Sequence, residues 1–259
     1  MKKRSSLHIF FSVVKALLLR EIQTRFGTQK LGYLWALIEP MSTIIIFALI
    51  KEALHPNGMP GISYPVFLAS GMIAYFMFRN IVIKSMDSFT ANKGLFVYKQ
   101  VKPFDTILSR YLLETNLHFI IVLVFLFIGW YLGLDIECKN ILGVLTAYIW
   151  LSLFGLSLGI LFAVLGFFFE NFKKIIGIMF LPLYFMSALF YDVSSLPPVA
   201  QKILYYNPVV HFMEMIHGNY FYGMDTKFVD YNYMLIWTIV PAFVGLWLYK
   251  KSERKIIMS

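Results

Sequence analysis

The sequence predicts an all-α polytopic membrane protein. It expects six transmembrane helices, an N-terminal amphipathic helix in the interface, and re-entrant helices on the far side between spans five and six. Three observations carry this reading. First, 59% of the 259 residues are hydrophobic and only 14% are charged, with 26 Phe against 23 Lys plus Arg. An average soluble domain is roughly 45–50% apolar and about 25% charged, so these charges are too few to coat a water-facing surface of this size. Second, uncharged runs recur near the length of about 20 residues that a helix needs to cross a ~30 Å hydrocarbon core. Third, the basic residues between the runs are one-sided: 17 fall on the side of the termini and 4 on the other, with Arg79 and Arg110 in or at spans. Positive charge collects in cytoplasmic loops, so both termini are expected in the cytoplasm after six crossings. The formal net charge of +9 then reports loops facing an anionic leaflet, and no nucleic-acid partner is inferred from it.

The elements follow in order. In Leu7–Leu19 the polar residues His8, Ser12 and Lys15 recur at i, i+4 and i+7 among apolar neighbours, which makes one stripe of a helix. Thirteen residues are too few to cross, so the segment is expected in the interface plane with Arg20 and Arg25 near headgroups. A short seventh span is the alternative. Lys2, Lys3 and Arg4 precede it, but no small-residue cleavage site follows, and no removable signal peptide is expected. Spans are read at Leu31–Ile50, Tyr64–Ile83, Leu117–Leu134, Ile141–Phe169, Ile175–Tyr191 and Tyr231–Tyr249. The first holds Glu39-Pro40, the second Arg79 and the fifth Pro182.

The segment Asp192–Asp230 contains Leu196-Pro197-Pro198, Tyr205-Tyr206-Asn207-Pro208 and Tyr220-Phe221-Tyr222-Gly223. It is too apolar for a solvated loop and too broken for a span. Short helices dipping back into the outer leaflet answer both, because irregular backbone at membrane depth must be covered by protein or line a cavity. An aromatic interfacial belt is the other reading.

Few motifs carry chemistry. The chain has no G-x-x-x-x-G-K-[ST], no H-E-x-x-H and no G-x-S-x-G, so it holds no P-loop, zincin or hydrolase signature. The single Cys138 excludes an internal disulfide and a multi-Cys metal site. His211 and His217 stand six apart and share no metal-binding helix face. An integral-membrane enzyme acting on a polymer would want acids in the cytoplasmic loops, yet Asp87, Asp105 and Glu170 are widely spaced.

Charges inside spans say more. A charge near the bilayer centre costs about 2.5–3.5 kcal/mol on insertion scales and usually faces a bundle interior or a water-filled path. Arg79, within Tyr75-Phe76-Met77-Phe78-Arg79-Asn80, either lines a route for an anionic or sugar-rich substrate or snorkels to the cytoplasmic headgroups with Lys84. Glu39, beside the helix-kinking Pro40, calls for an ion pair with a basic residue near the cytoplasmic end. Trp35, Tyr75, Phe78, Tyr184 and Tyr191 are candidates for sugar-facing aromatics, since flat rings stack on the apolar faces of sugars, and Arg79 and Lys84 would attract negative charge. Gly155-x-x-x-Gly159-x-x-x-Ala163 is a small-residue face for close helix contact, within the chain or across a dimer. The loop Asp87–Asp105 mixes Phe89, Leu95, Phe96, Val97 and Tyr98 with Asn92, Lys93, Lys99 and Lys102. It reads as a docking surface for another protein or as an amphipathic helix on the membrane.

These pieces together resemble a known family. Leu19-Arg20-Glu21-Ile22-Gln23-Thr24-Arg25-Phe26-Gly27, then Leu31-Gly32-Tyr33-Leu34-Trp35-Ala36 and Glu39-Pro40, are similar to the opening of ABC-2-type export permeases of the capsular-polysaccharide (KpsM-like) branch. The resemblance continues through Ala91-Asn92-Lys93-Gly94-Leu95-Phe96, Val101-Lys102-Pro103-Phe104-Asp105-Thr106-Ile107 and Asn207-Pro208-Val209-Val210-His211 with Glu214, and covers essentially the whole chain. His217 departs from the family, which often has arginine there.

The resemblance implies one transmembrane domain over 1–259. It divides into a cytoplasmic amphipathic helix (1–32), spans one to five (33–191), a re-entrant periplasmic segment (192–230) and span six with the cytoplasmic tail (231–259). It implies a homodimer in the bacterial inner membrane working with two copies of a cytoplasmic ABC ATPase that carries the ATP and Mg, with no cofactor on this chain. Further implied partners are a lipid-linked polysaccharide, a periplasmic co-polymerase-type adaptor and an outer-membrane exporter. Phe89, Asn92, Gly94, Leu95, Phe96 and Tyr98 would then couple to the ATPase, and Arg20, Arg25 and Phe26 would stand at the cytoplasmic entrance. An O-antigen, teichoic-acid or small-molecule exporter of the same fold is the neighbouring expectation.

Overall fold

Proline and asparagine decide where several helices begin. Pro103 opens α5 (Pro103–Tyr131), with Asp105 accepting from the Lys102 amide at 2.9 Å. Asn140 caps α6 (Ile141–Phe168) by accepting from the Gly143 amide at 3.1 Å. Asn207 does the same for α9 (Pro208–Tyr220) at Val209, 3.0 Å, with Pro208 at the first helical position. A proline there loses nothing, because the first amides of a helix have no intrahelical acceptor. The computed structural model describes residues 6–26, 32–54 and 62–258, and their side chains except those of 6, 26, 32–37 and 51–54. Phe26 and Trp35 therefore lie outside the described side chains.

The remaining helices are α1 (Ser6–Phe26), α2 (Gly32–Leu54), α3 (Tyr64–Met86), the short α4 (Ser88–Ala91), α7 (Glu170–Phe185), α8 (Pro198–Tyr205) and α10 (Tyr231–Met258). Two 3₁₀ turns, Lys93–Leu95 and Val193–Ser195, complete the order, and no strand occurs among the described residues. Among those residues, four helices are long and apolar enough to cross a membrane: α3, α5, α6 and α10. In α2 the apolar stretch among the described side chains is Ile38–Ile50, and α7 has 16 residues.

Sequence and structure differ in where spans begin and end. α5 starts at Pro103, well before the uncharged run at Leu117, because Arg110 and Glu114 are buried within it and paired to α1. A span read by absence of charge stops short at such a place. α7 closes at Phe185 rather than Tyr191. The chain turns there through Ala188, whose φ of 56° is in the left-handed region that only a few per cent of non-glycine residues adopt.

α3 is the central helix, with 16 of its 23 residues buried, and α2, α5, α6, α7 and α9 pack around it. The small-residue face of α6 meets α3 within the same chain. A Cβ added at Gly155 would lie 3.3 Å from Ile81, and one at Gly159 only 2.7 Å from the Ser85 hydroxyl. Those glycines let the two backbones approach closely, where dispersion is strongest. Stacked rings continue the contact: Phe78 lies on Phe154 and Phe154 on Phe212, at 5.2 and 5.3 Å with interplanar angles of 10°. α1 lays Val14 and Leu17 against the bundle while Leu7 and Phe11 face outward, so it is docked along α5.

Candidate functional site

Several of the charged and aromatic residues singled out above collect in two places, between α2, α3 and α7 and at the end of the bundle where α1 meets the 87–102 segment. The first is a cleft of about 280 Å³ lined by Glu39, Thr43 and Phe47 of α2, Tyr75, Phe76 and Arg79 of α3, and Gly177, Phe180, Leu181 and Tyr184 of α7. Tyr75 and Arg79 are four residues apart and so share a helix face. The Tyr75 hydroxyl donates to the Phe180 carbonyl at 2.6 Å and fastens α3 to α7. Tyr184 packs its ring 5.2 Å from that of Tyr75 and stacks on Phe76 at 5.9 Å and 20°. Its hydroxyl is buried and has no hydrogen-bond partner among the described residues.

Arg79 stands in this cleft 3.7 Å from Glu39, and both side chains are partly open, 36% and 65% exposed. On the α2 side, the Glu39 carbonyl accepts from Ser42 at 3.0 Å and Thr43 at 2.8 Å. Those hydroxyls steady the turn that holds Pro40 and leave the Glu39 carboxylate free to project.

The second place is built from two layers. Phe89 and Phe96, 1% and 4% exposed, pack with Ile107, Ile160, Val164, Tyr249 and Ile256. The expectation of an outward Phe96 is thus corrected: next to a small apolar cluster, the ring gains more from burial than from facing water. Val97, Tyr98 and Gly94 point outward instead. Asn92 is buried, donates to the Ser88 carbonyl at 2.9 Å and accepts from Arg20 of α1 at 3.0 Å. Leu95, Tyr98 and Val101 face Ile9, Ala16 and Leu17 of α1 across a groove of about 460 Å³. Lys173, from the turn before α7's apolar stretch, holds Asp87 at 3.0 Å.

Beside this lies a ladder of ion pairs that sequence reasoning missed. Glu21 of α1 pairs with Arg110 of α5 at 3.1 Å, and Arg25 pairs with Glu114 one turn on. Arg110 also donates to the Lys84 carbonyl at 2.7 Å, tying in the end of α3. The signal was present in the order of charges: Glu21 and Arg25 stand at i, i+4, and Arg110 and Glu114 repeat the spacing with signs reversed. Arg25, expected at an open entrance, is engaged with the buried Glu114.

Of the remaining candidates, Phe78 is turned from the cleft into the ring stack with Phe154. Lys84 is five residues past Arg79, about 140° around the helix, and is absent from the cleft lining. Tyr191 lies beyond α7, with its hydroxyl on the Phe185 carbonyl at 3.1 Å. The structure therefore joins Arg79, Tyr75 and Tyr184 and separates Phe78, Lys84 and Tyr191 from them. Thr43 and Phe76 were missed, although Thr43 follows Glu39 by one helical turn.

Comparison with known proteins adds an independent finding. Residues 12–221 match the ABC-2 type transporter family. The chain is 37% identical over 256 residues to the polysialic acid transport protein KpsM of Escherichia coli, covering 99% of both chains. It is 29% identical over 256 residues to the capsule polysaccharide export inner-membrane protein CtrC of Neisseria meningitidis serogroup B, covering 97% of this chain and 95% of the other. It is 28% identical over 259 residues to the capsule polysaccharide export inner-membrane protein BexB of Haemophilus influenzae, covering 98% and 96%.

Proposed function

This chain belongs to the ABC-2 type transporter family, and on that footing we propose that it is the permease subunit of an exporter that moves a lipid-linked capsular polysaccharide across the bacterial inner membrane. The observation that carries the reading is the end-to-end similarity to transport and capsule-export proteins of the inner membrane. The chain is a permease and not an enzyme; a separate cytoplasmic ATPase binds ATP with Mg and hydrolyses the ATP.

The working unit is a homodimer with two ATPase copies, and a periplasmic adaptor and outer-membrane exporter receive the polymer. Each subunit crosses six times, with α2 and α7 completing the four longer helices and both termini cytoplasmic; the 17:4 division of basic residues supports this. α8 and α9 have 8 and 13 residues, too short to cross. α9 is nonetheless almost wholly buried against α3, α6 and α10, which supports re-entrant helices that gate the far side.

The ATPase seats on the outward Tyr98, Val97 and Gly94. Phe89 and Phe96 root that surface in the core and Arg20–Asn92 passes its displacement to α1, while Lys173–Asp87 passes it toward α7. Movement of α7 against α2 and α3 reshapes the cleft, where Tyr184 and Phe76 offer ring faces to sugars and Arg79 a cation. Trp35, Phe78, Tyr191 and Lys84 remain path candidates only in states that turn them toward it, and Phe26 remains one at the cytoplasmic entrance.

Two experiments test this. Arg79→Ala should lower surface polysaccharide about tenfold with the subunit still inserted, since a hydrogen bond to a charged group is worth about 1.5–3 kcal/mol; unchanged export would reject the path assignment. Val97→Asp with Tyr98→Ala should leave the subunit inserted and strip the co-purifying ATPase, because exposed residues contribute to docking and little to the fold. Recovery of the ATPase at wild-type yield would place the docking surface elsewhere.

A further inference from the structure

We propose that Glu39 is a built-in competitor for Arg79, and that the pair makes the cleft selective for polymers carrying carboxylates over neutral ones. This deepens the export reading and rests on it. Three Arg–Glu pairs occur among the described residues, and their differences are the argument. Arg25–Glu114 and Arg110–Glu21 are closed, with one partner in each at 1% and 9% exposure. Arg79–Glu39 is the long one, 3.7 Å, and open on both sides to a cleft. Exposed pairs hold weakly, so this one yields to a better acceptor, whereas the other two do not.

A guanidinium presents parallel donors that fit a carboxylate in bidentate fashion. The Glu39 carboxylate at 3.7 Å does not use that fit, so an incoming carboxylate does. The cleft has the other parts of a carbohydrate subsite. The half-buried Phe76, stacked on Tyr184, lines it with an aromatic ring. The Tyr184 hydroxyl, on a side chain only 9% exposed, lines the cleft without a hydrogen-bond partner among the described residues.

A neutral sugar cannot replace the displaced carboxylate and leaves Glu39 in place. An acidic sugar displaces it, and Glu39 returns as the polymer advances, so the grip is brief. Without Glu39 the cleft would bind acidic sugars more tightly and release them more slowly. Were Glu39 merely offsetting the charge of Arg79 within the membrane, its removal would lower the amount of folded subunit without changing discrimination between substrates.

The test uses the permease–ATPase complex in nanodiscs, with short sialic acid oligomers and the same oligomers amidated at their carboxylates as probes. Stimulation of ATP hydrolysis is the readout. Glu39→Gln should lower the half-saturating concentration of the acidic oligomer about fivefold, as loss of a weak exposed competitor requires, and should reduce the maximal rate. The amidated oligomer should be unaffected. Glu39→Asp should behave as wild type, and Arg79→Gln, alone or with Glu39→Gln, should erase the difference between the two oligomers. A wild-type response to the acidic oligomer that Glu39→Gln leaves unshifted, or shifts equally for both oligomers, overturns this inference alone. A complex that responds to neither oligomer also overturns this inference, whereas the export reading is decided separately, by whether deleting the chain abolishes surface polysaccharide.

Discussion

Glu114→Ala should lower the melting temperature of the solubilised subunit by about 6–20 °C. Removing one member of a buried pair typically costs about 3–5 kcal/mol, and in chains of this length each kcal/mol moves the midpoint by about 2–4 °C. Glu114 is 1% exposed and lies between Arg25 of α1 and His118 of its own helix, whose Nδ1 sits 2.8 Å from the Glu114 carbonyl. Without the carboxylate, Arg25 loses its buried acceptor and α1 loses a rung of its attachment to α5. Glu114→Gln keeps an acceptor and the side-chain volume, so it should cost less. The decisive comparison is with Arg25→Ala, which leaves the 1% exposed Glu114 carboxylate without that cation and should cost at least as much, because the charge that remains is then the buried one. If Glu114→Ala melts with the wild type, the ladder contributes nothing to α1 docking.

Gly159→Leu should have a comparably large effect through packing. The added Cβ alone would meet the Ser85 hydroxyl at 2.7 Å and its Cβ at 2.8 Å, so α3 and α6 must separate, and the ring stack from Phe78 to Phe212 along the same contact loosens with them. Overpacking a tight contact costs about 1–3 kcal/mol and more when backbone must move. The expected result is loss of the subunit from a monodisperse chromatographic peak. A milder pair locates the cause: Gly159→Ala should be destabilising alone and recover when Ser85 is also changed to Gly. Gly177, where an added methyl group would meet open space, serves as the control, and Gly177→Ala should insert and fold normally. Failure of Ser85→Gly to relieve Gly159→Ala would mean that α6 meets something other than α3 at this point.

The two sites were legible to different degrees. Tyr75 and Arg79 share a face because of their spacing alone, and a charge in an apolar run marks itself. Tyr184 could be nominated only as one ring among many, since nothing in its neighbours says that α7 brings it against Phe76. Phe96 shows the reverse problem. An aromatic in a polar loop reads equally as a ring for a partner or a ring for the chain's own core, and the cluster around Ile160 and Ile256 that claims it comes from α6 and α10, far away in the chain. The ladder failed for another reason. Charges at the base of α5 argued against a span there, because desolvation penalises each charge taken singly, whereas pairing with α1 cancels much of that penalty.

Composition, run length and the side on which basic residues fall determined by themselves that this is an all-helical membrane protein, since those properties depend only on the solvent each segment can tolerate. The ordered motifs carried its family. Which helices touch was decided only in three dimensions: α6 against α3 through Gly155 and Gly159, α1 against α5 through crossed ion pairs, and Glu39 against Arg79 across α2 and α3. Hydrophobicity is non-directional and sorts segments by environment, but neighbours are chosen by shape and by charge pairing between elements distant in the chain, and those depend on where every other helix has already packed.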